Sequence, residues 1–215
     1  MASRRKVSAA HKVFNGAIDK LIILDGHNQS RFRAGPGRPT PKILTVTQLH
    51  VITEGIFTRA FRTFETFVEE VFVLYAMKKP SRSGRVGTPY LLPKSPEHTM
   101  ELLQSNMVFL EWNSPDVIVK RSELYFQDGY PVKAAFTMNL QLLQDARWVR
   151  NHIAHNSRQS VSKYNGVLRR AYGTLPIKAI SPGEFLQSTN TSSPGTHYLL
   201  SFLSGFKKVA DDLTA

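Results

Sequence analysis

The sequence contains no cysteine, which excludes disulfides, thiolate catalysis and cysteine-ligated zinc or iron–sulfur centres. Stability must therefore come from packing, and a metal site would have to be built from His and carboxylates. No apolar run approaches the roughly 20 residues that span a bilayer. The basic start, Met1 to Lys6, is followed by His11 and Lys12 before any apolar core of an export signal can form. A soluble, cytoplasmic chain without a membrane partner is expected. The Gly-rich phosphate cradles GxGxxG and GxxxxGK(S/T) are also missing, and stretches of alternating apolar and polar residues are scarce, which disfavours an α/β nucleotide-binding fold.

What the chain has in excess is positive charge. Its 215 residues carry 28 Lys and Arg against 16 Asp and Glu, a formal charge of +12. Such a surplus attracts polyanions and raises encounter rates at moderate salt, pointing toward nucleic acid. A solvated basic surface that only maintains solubility remains the alternative, because net charge speaks to partners and not to fold. The length fits one domain, residues 1–215, with sizeable loops.

Helical spacing dominates. Val13, Ala17, Leu21 and Leu24 recur at helical intervals over Val7 to Leu24, and Asp25-Gly26 signals a turn. A basic loop near 26–44 follows, where Arg31, Arg33, Arg38 and Lys42 alternate with Gly and Pro. From Thr47, read as an N-cap, Phe57, Phe61, Phe64, Val68, Val71 and Tyr75 form one apolar face of a long core helix. Glu54, Glu65, Glu69 and Glu70 ride on it as surface or ion-paired groups, with Glu65 closest to the apolar stripe. A second basic loop is expected near 78–95.

Ser95-Pro96-Glu97 and Ser114-Pro115-Asp116 each combine a cap, a first-turn Pro and an acid, so short helices should follow them. Val132 to His155 has no interior Gly or Pro and reads as a second long helix with Ala135, Leu142, Ala146, Val149 and Ile153 on its buried side. Further helices are expected over Gln159 to Tyr172 and Tyr198 to Leu213, joined by a polar connection over Pro176 to Pro194. The whole predicts an all-α, up-and-down helical bundle with two long core helices and shorter flanking helices.

The end of the second long helix gathers polar groups. Arg147, Asn151 and His155 stand at i, i+4 and i+8, opposite the stripe through Ala146, Val149 and Ile153, with Arg150 on the flank. An imidazole with a pKa near about 6.5 can exchange a proton with a 2′-hydroxyl or a leaving oxygen. A guanidinium binds phosphate bidentately and stays charged. Such a scheme requires no metal and no cofactor, and His152 and His155, three residues apart without HExxH, make a poor metal pair. Trp148 points away from the core face of its helix and suggests a contact with another element or another chain, and His152 lies nearer to Trp148 than to the Arg and Asn line. By spacing alone, these residues could equally be C-terminal charges that complement the helix dipole.

The run Arg150-Asn151-His152-Ile153-Ala154-His155 resembles the Rx4H motif of the HEPN superfamily, in which a polar residue commonly follows the Arg. The aromatic-rich helix with Phe64-Glu65-Thr66-Phe67-Val68-Glu69-Glu70 fits the same context, and about residues 8–213 fall within one such domain. Pro182-Gly183-Glu184-Phe185-Leu186 before a last helix is similar to the tail of a bacterial branch found among toxin and phage-defence systems.

This resemblance implies a homodimer joined through the motif helices, Trp148 among the interface residues, with two copies of Arg and His around one RNA-cleaving centre. It implies that Arg150 orients and neutralises the scissile phosphate, His155 transfers the proton, and Asn151 holds Arg, His or RNA in place. Arg147, His152 and Glu65 would be supporting residues. The products would be a 2′,3′-cyclic phosphate and a 5′-hydroxyl, and an antitoxin or regulatory protein would restrain the activity. Many members of the superfamily bind or assemble without cutting, so a non-catalytic RNA-binding or protein-interaction module is the alternative.

Overall fold

The structure is a computed structural model that describes residues 6–33, 44–105, 110–155 and 157–215. Among the described residues it is all-α: α1 (Val7–Arg33), α2 (Val46–Ala76), α3 (Pro96–Gln104), α4 (Pro115–Tyr125), α5 (Val132–Met138), α6 (Leu140–Ala154), α7 (Arg158–Tyr172), α8 (Pro182–Gln187) and α9 (Tyr198–Thr214). The only extended pairings among them are two isolated bridges, Pro89 with Phe126 and Thr189 with His197. The expected helical bundle is thus present, and no helix of the described residues is long and apolar enough to cross a membrane.

Several boundaries differ from those expected. The first helix does not stop at Asp25-Gly26 but continues to Arg33, so residues 26–33 of the expected first basic loop are helical. The rest of that loop, including Arg38 and Lys42, lies outside the described residues. The buried side of α1 is also different: Ala10, Phe14 and Ile18 are buried, whereas Val13 is 60% and Leu24 44% exposed. The cap of α2 is Thr45 and not Thr47. Its Oγ1 accepts from Gln48 N at 3.2 Å, and Gln48 Oε1 accepts from Thr45 N at 2.9 Å, a reciprocal capping box.

The expected helix over Val132 to His155 is two helices, α5 and α6, broken at Asn139. Asn139 leaves helical geometry at φ −116°, ψ 18°. Its Nδ2 donates to Ala135 O and to Asp212 Oδ2, both at 2.9 Å, and its Oδ1 accepts from Lys208 Nζ at 3.1 Å. A buried amide satisfied in this way competes with the helical backbone, so neither Gly nor Pro is needed for the break. The loop over residues 78–95 is confirmed, and both Ser-Pro starts open helices as expected, although only Ser95 makes a side-chain cap bond, accepting from His98 N at 3.1 Å.

The described chain divides into two compact units. The first comprises residues up to Gly16, Thr63–Gln144 and Phe206–Ala215. Its core is aromatic: Phe14 stacks on Phe67 with centroids 4.5 Å apart, Phe64 stacks on Phe206 at 5.0 Å, and Phe72 meets Trp112, Tyr125 and Phe126 edge to face. Tyr75 is fully buried and donates its hydroxyl to Leu213 O at 2.8 Å.

The second unit comprises Ala17–Arg62 and Asp145–Gly205. A polar network explains why α1 runs through Gly26: buried Asp25 accepts from His197 Nε2 at 2.7 Å and from Gln187 Nε2 at 3.4 Å, and Gln187 also donates to Thr53 Oγ1 at 2.6 Å and accepts from Gln29. These bonds fix the last turns of α1 to α2 and α8, compensating for the helix-weakening Gly. The connection expected over Pro176 to Pro194 contains α8, opened by Ser181, whose Oγ accepts from Glu184 N at 3.1 Å. Gly183 is required there. A Cβ on it would lie 2.6 Å from His50 Cβ and 2.7 Å from His50 O, so only hydrogen lets α8 approach α2 this closely.

Candidate functional site

The residues singled out from the sequence, Glu65 apart, belong to the second unit, on α6 and the junction that follows it. Ala146 and Val149 are fully buried and set the orientation of the helix. The helical hydrogen-bond pattern carries one step past Ala154, with His155 N donating to Asn151 O at 2.8 Å. Ser157 then caps α7 in a reciprocal box with Ser160, whose Oγ is hydrogen-bonded to His155 O as well. The backbone at His155 is thereby tied down on both sides, while its side chain is exposed.

Arg150 and Asn151 are brought into direct contact. Arg150 Nη1 donates to Asn151 Oδ1 at 3.0 Å, and the guanidinium carbon lies 5.9 Å from the Phe61 ring centroid. The amide and the ring together restrict a side chain that would otherwise sample many rotamers, leaving the remaining N–H donors of the fork for an anion. Asn151 and His155 are successive members of one helical row, about 5–6 Å apart at Cβ for such pairs. The restricted cation and the exposed imidazole, five residues or about 1.4 turns apart, supply one group that can bind phosphate and one that can exchange a proton.

The other candidates are placed differently. Arg147 turns to Trp148, with its guanidinium carbon 5.0 Å from the ring centroid, and its buried Nε has no hydrogen-bond partner among the described residues. Trp148 is half-buried and also lies under Lys163 of α7, the ammonium 5.2 Å from the ring centroid, so the outward Trp has a neighbour within its own chain. Glu65 belongs to the first unit and is half-buried on α2. The α2 carboxylate of the second unit is Glu54, which accepts from Gly183 N at 2.8 Å and lines a groove of about 410 Å³ with Val51, Gly55, Thr58, Arg59, Arg62 and Ile153. Glu54 stood among the surface carboxylates in the sequence. Its spacing of four before Thr58 and eight before Arg62 was a signal, but nothing local showed that Gly183 would bind it.

His152 is separated from the Arg150 and Asn151 pair by its own stacking. Its ring lies on Tyr164 with centroids 4.6 Å apart, and Nδ1 is 3.4 Å from Ser160 Oγ. Burial holds its pKa below the ordinary 6.5, against a smaller opposing pull from Glu54. Below that ordinary value the unfolded chain binds a proton that the folded chain resists. The stability associated with neutral His152 is therefore complete above 6.5 and is lost as the pH falls through the window beneath it. Urea midpoints measured across this range should show the loss in the natural sequence and a flatter profile in His152→Phe, which keeps a ring on Tyr164. Parallel profiles would contradict the assignment.

Among the described residues, no group of three or more His, Asp or Glu side chains is arranged to hold a metal ion. No family model matches the chain, and no curated protein and no solved structure matches it either. The described residues form an all-α helical chain with a bonded Arg150–Asn151 pair on α6 and an exposed His155 just past the end of that helix.

Proposed function

We propose that this chain is a metal-independent endoribonuclease of the HEPN type, acting as a toxin or defence effector in the cytoplasm. The observation that carries the reading is the Arg150–Asn151 hydrogen bond one turn before an exposed His155 whose backbone is tied down by Ser160. In this reading Arg150 neutralises the scissile phosphate and His155 takes the proton from the 2′-hydroxyl or delivers one to the leaving 5′-oxygen. The 2′-oxygen forms the new bond to phosphorus as the bond to the 5′-oxygen breaks, leaving a 2′,3′-cyclic phosphate and a 5′-hydroxyl. Asn151 positions Arg150.

Two copies joined through α6 would place two such sets around one centre, and an antitoxin or regulatory protein would control it. The site chemistry of a restricted cation and a titratable imidazole supports the enzyme over a passive binder, since binding alone has no need of an exposed His on the same stretch as the Arg. The alternative, a non-catalytic RNA-binding or protein-interaction module, draws its support from the basic surface and from Trp148 beneath Arg147 and Lys163.

Incubation of the purified chain with total RNA in EDTA tests the proposal. Cutting is expected, with cyclic phosphate ends, and an all-2′-deoxy strand of the same sequence should stay intact because it lacks the attacking hydroxyl. RNA left whole, or 5′-phosphate ends, would overturn it.

A further inference from the structure

Helix α7 carries Arg158, Lys163, Arg169 and Arg170 and no acidic residue. Of these, Arg170 is paired with Asp145 and Lys163 covers Trp148, whereas no carboxylate among the described residues pairs with Arg158 or Arg169. These two are joined along the helix by polar residues: Arg158, Ser162, Asn165 and Arg169 stand at i, i+4, i+7 and i+11, one continuous row on one face. With Val161 they line an open groove of about 400 Å³. Tyr164, Val167 and Leu168 are buried on the opposite side, so α7 is held in place by its apolar face and leaves Arg158, Ser162 and Arg169 exposed and Asn165 half-buried. The row begins three residues after His155, whose carbonyl oxygen accepts from Ser160 Oγ on the first turn of α7.

We propose that this face of α7 is a track for the phosphate backbone of single-stranded RNA. The eleven residues from Arg158 to Arg169 cover about 16 Å at 1.5 Å per residue, or about five nucleotides at roughly 3.4 Å per stacked step. Two guanidiniums at the ends match phosphates, and Ser162 and Asn165 between them are neutral donors and acceptors for phosphate and sugar oxygens. A repeating polyanion uses such an evenly polar row along its whole length. Val161, half-buried, is the one apolar side chain in the groove, and no aromatic side chain lines it of the kind enriched in the core of a protein partner's interface. No base edge is read, so the track binds strand in general and passes it toward the turn that carries His155. The inference rests on RNA being the ligand of the α6 site, but it concerns binding by different side chains.

The test measures binding of a fluorescein-labelled, all-2′-deoxy single strand, which cannot be cut by 2′-hydroxyl attack, by anisotropy over a salt series. Arg158→Gln with Arg169→Gln is compared with Lys12→Gln with Lys20→Gln, which removes the same charge from exposed positions on α1. Loss of two phosphate contacts should make the slope of log affinity against log salt shallower by about 1.4, at about 0.7 per contact for single strands. The α1 pair should leave the slope unchanged. Equal slopes in both variants, no binding by the natural sequence, or displacement of the strand by polyglutamate at matched charge would overturn the track. If total RNA is cut while the α7 pair leaves the slope unaltered, the track fails and the nuclease reading stands. If the slope changes as expected and total RNA is never cut, the track stands and the nuclease reading fails.

Discussion

His155→Ala is expected to lower RNA cutting by about 10²–10⁴-fold, the usual contribution of one positioned proton-transfer group, while thermal stability stays close to that of the natural sequence. The side chain is exposed, and what holds this turn is the backbone of His155, bonded to Asn151 and Ser160, which alanine preserves. Arg150→Ala should give a loss of similar order, because an uncompensated negative charge at phosphorus is as damaging to the transition state as a missing proton acceptor. Arg150→Lys should recover little of it: an ammonium offers no planar fork to Asn151 and phosphate together. Asn151→Ala leaves Arg150 on Phe61 but without its amide partner, and a smaller fall is expected. Rates on one labelled RNA, with each variant checked by circular dichroism, decide the matter. Equal cutting by His155→Ala and the natural sequence would remove His155 from the chemistry.

The parts of the fold that were legible are those in which burial follows apolar periodicity. On α2, Phe57, Phe61, Phe64, Val68, Val71 and Tyr75 mark the buried face, and all six are buried. On α1 the same rule misleads, because its buried face runs Ala10, Phe14, Ile18 and then Asp25 and Asn28. Polar residues at the later positions end the apolar signal and hide both the true face and the length of the helix. Their partners, His197 and Gln187 for Asp25, lie far along the chain, so no local rule could supply them. The break at Asn139 has the same origin in Lys208 and Asp212. By contrast, Thr45 with Gln48 and Ser181 before Pro182 were readable caps, carrying the same chemistry as Ser95 before Pro96.

For the candidate site, helical spacing located the residues but not their partners. The adjacency of Arg150 and Asn151 on the chain did not show that the side chains would bond, and the contact of Arg150 with Phe61 needed the packing of α2 and α6 within the second unit. The stacking of His152 on Tyr164 likewise depends on where α7 turns back. Side chains of α6 therefore divide between partners on the same helix and partners on its neighbours: Trp148 and Asn151 take Arg147 and Arg150, while Tyr164 of α7 takes His152 and Phe61 of α2 lies against Arg150.

Phe185→Ala is expected to cost about 3–5 kcal/mol, the range for removing a buried Phe, a large share of the roughly 5–15 kcal/mol that a domain has in all. Phe185 is 1% exposed and touches four aromatic rings, stacking on Tyr198 with centroids 4.5 Å apart and meeting Tyr164, Tyr172 and Phe202 edge to face. The cavity cannot close easily. Phe185 sits on a helix of only six residues whose approach to α2 is already fixed by Gly183, so α8 has little freedom to shift inward. Tyr164, losing one of its ring contacts, also carries the His152 stack, which links this packing to the turn after α6. A urea titration should show the midpoint falling steeply in Phe185→Ala and much less in Phe185→Leu, which refills most of the space. Cutting per folded molecule should remain within severalfold of the natural sequence, because nothing at Arg150 or His155 has been removed. A stable Phe185→Ala variant would mean that the aromatic cluster around α8 is not what holds the second unit together.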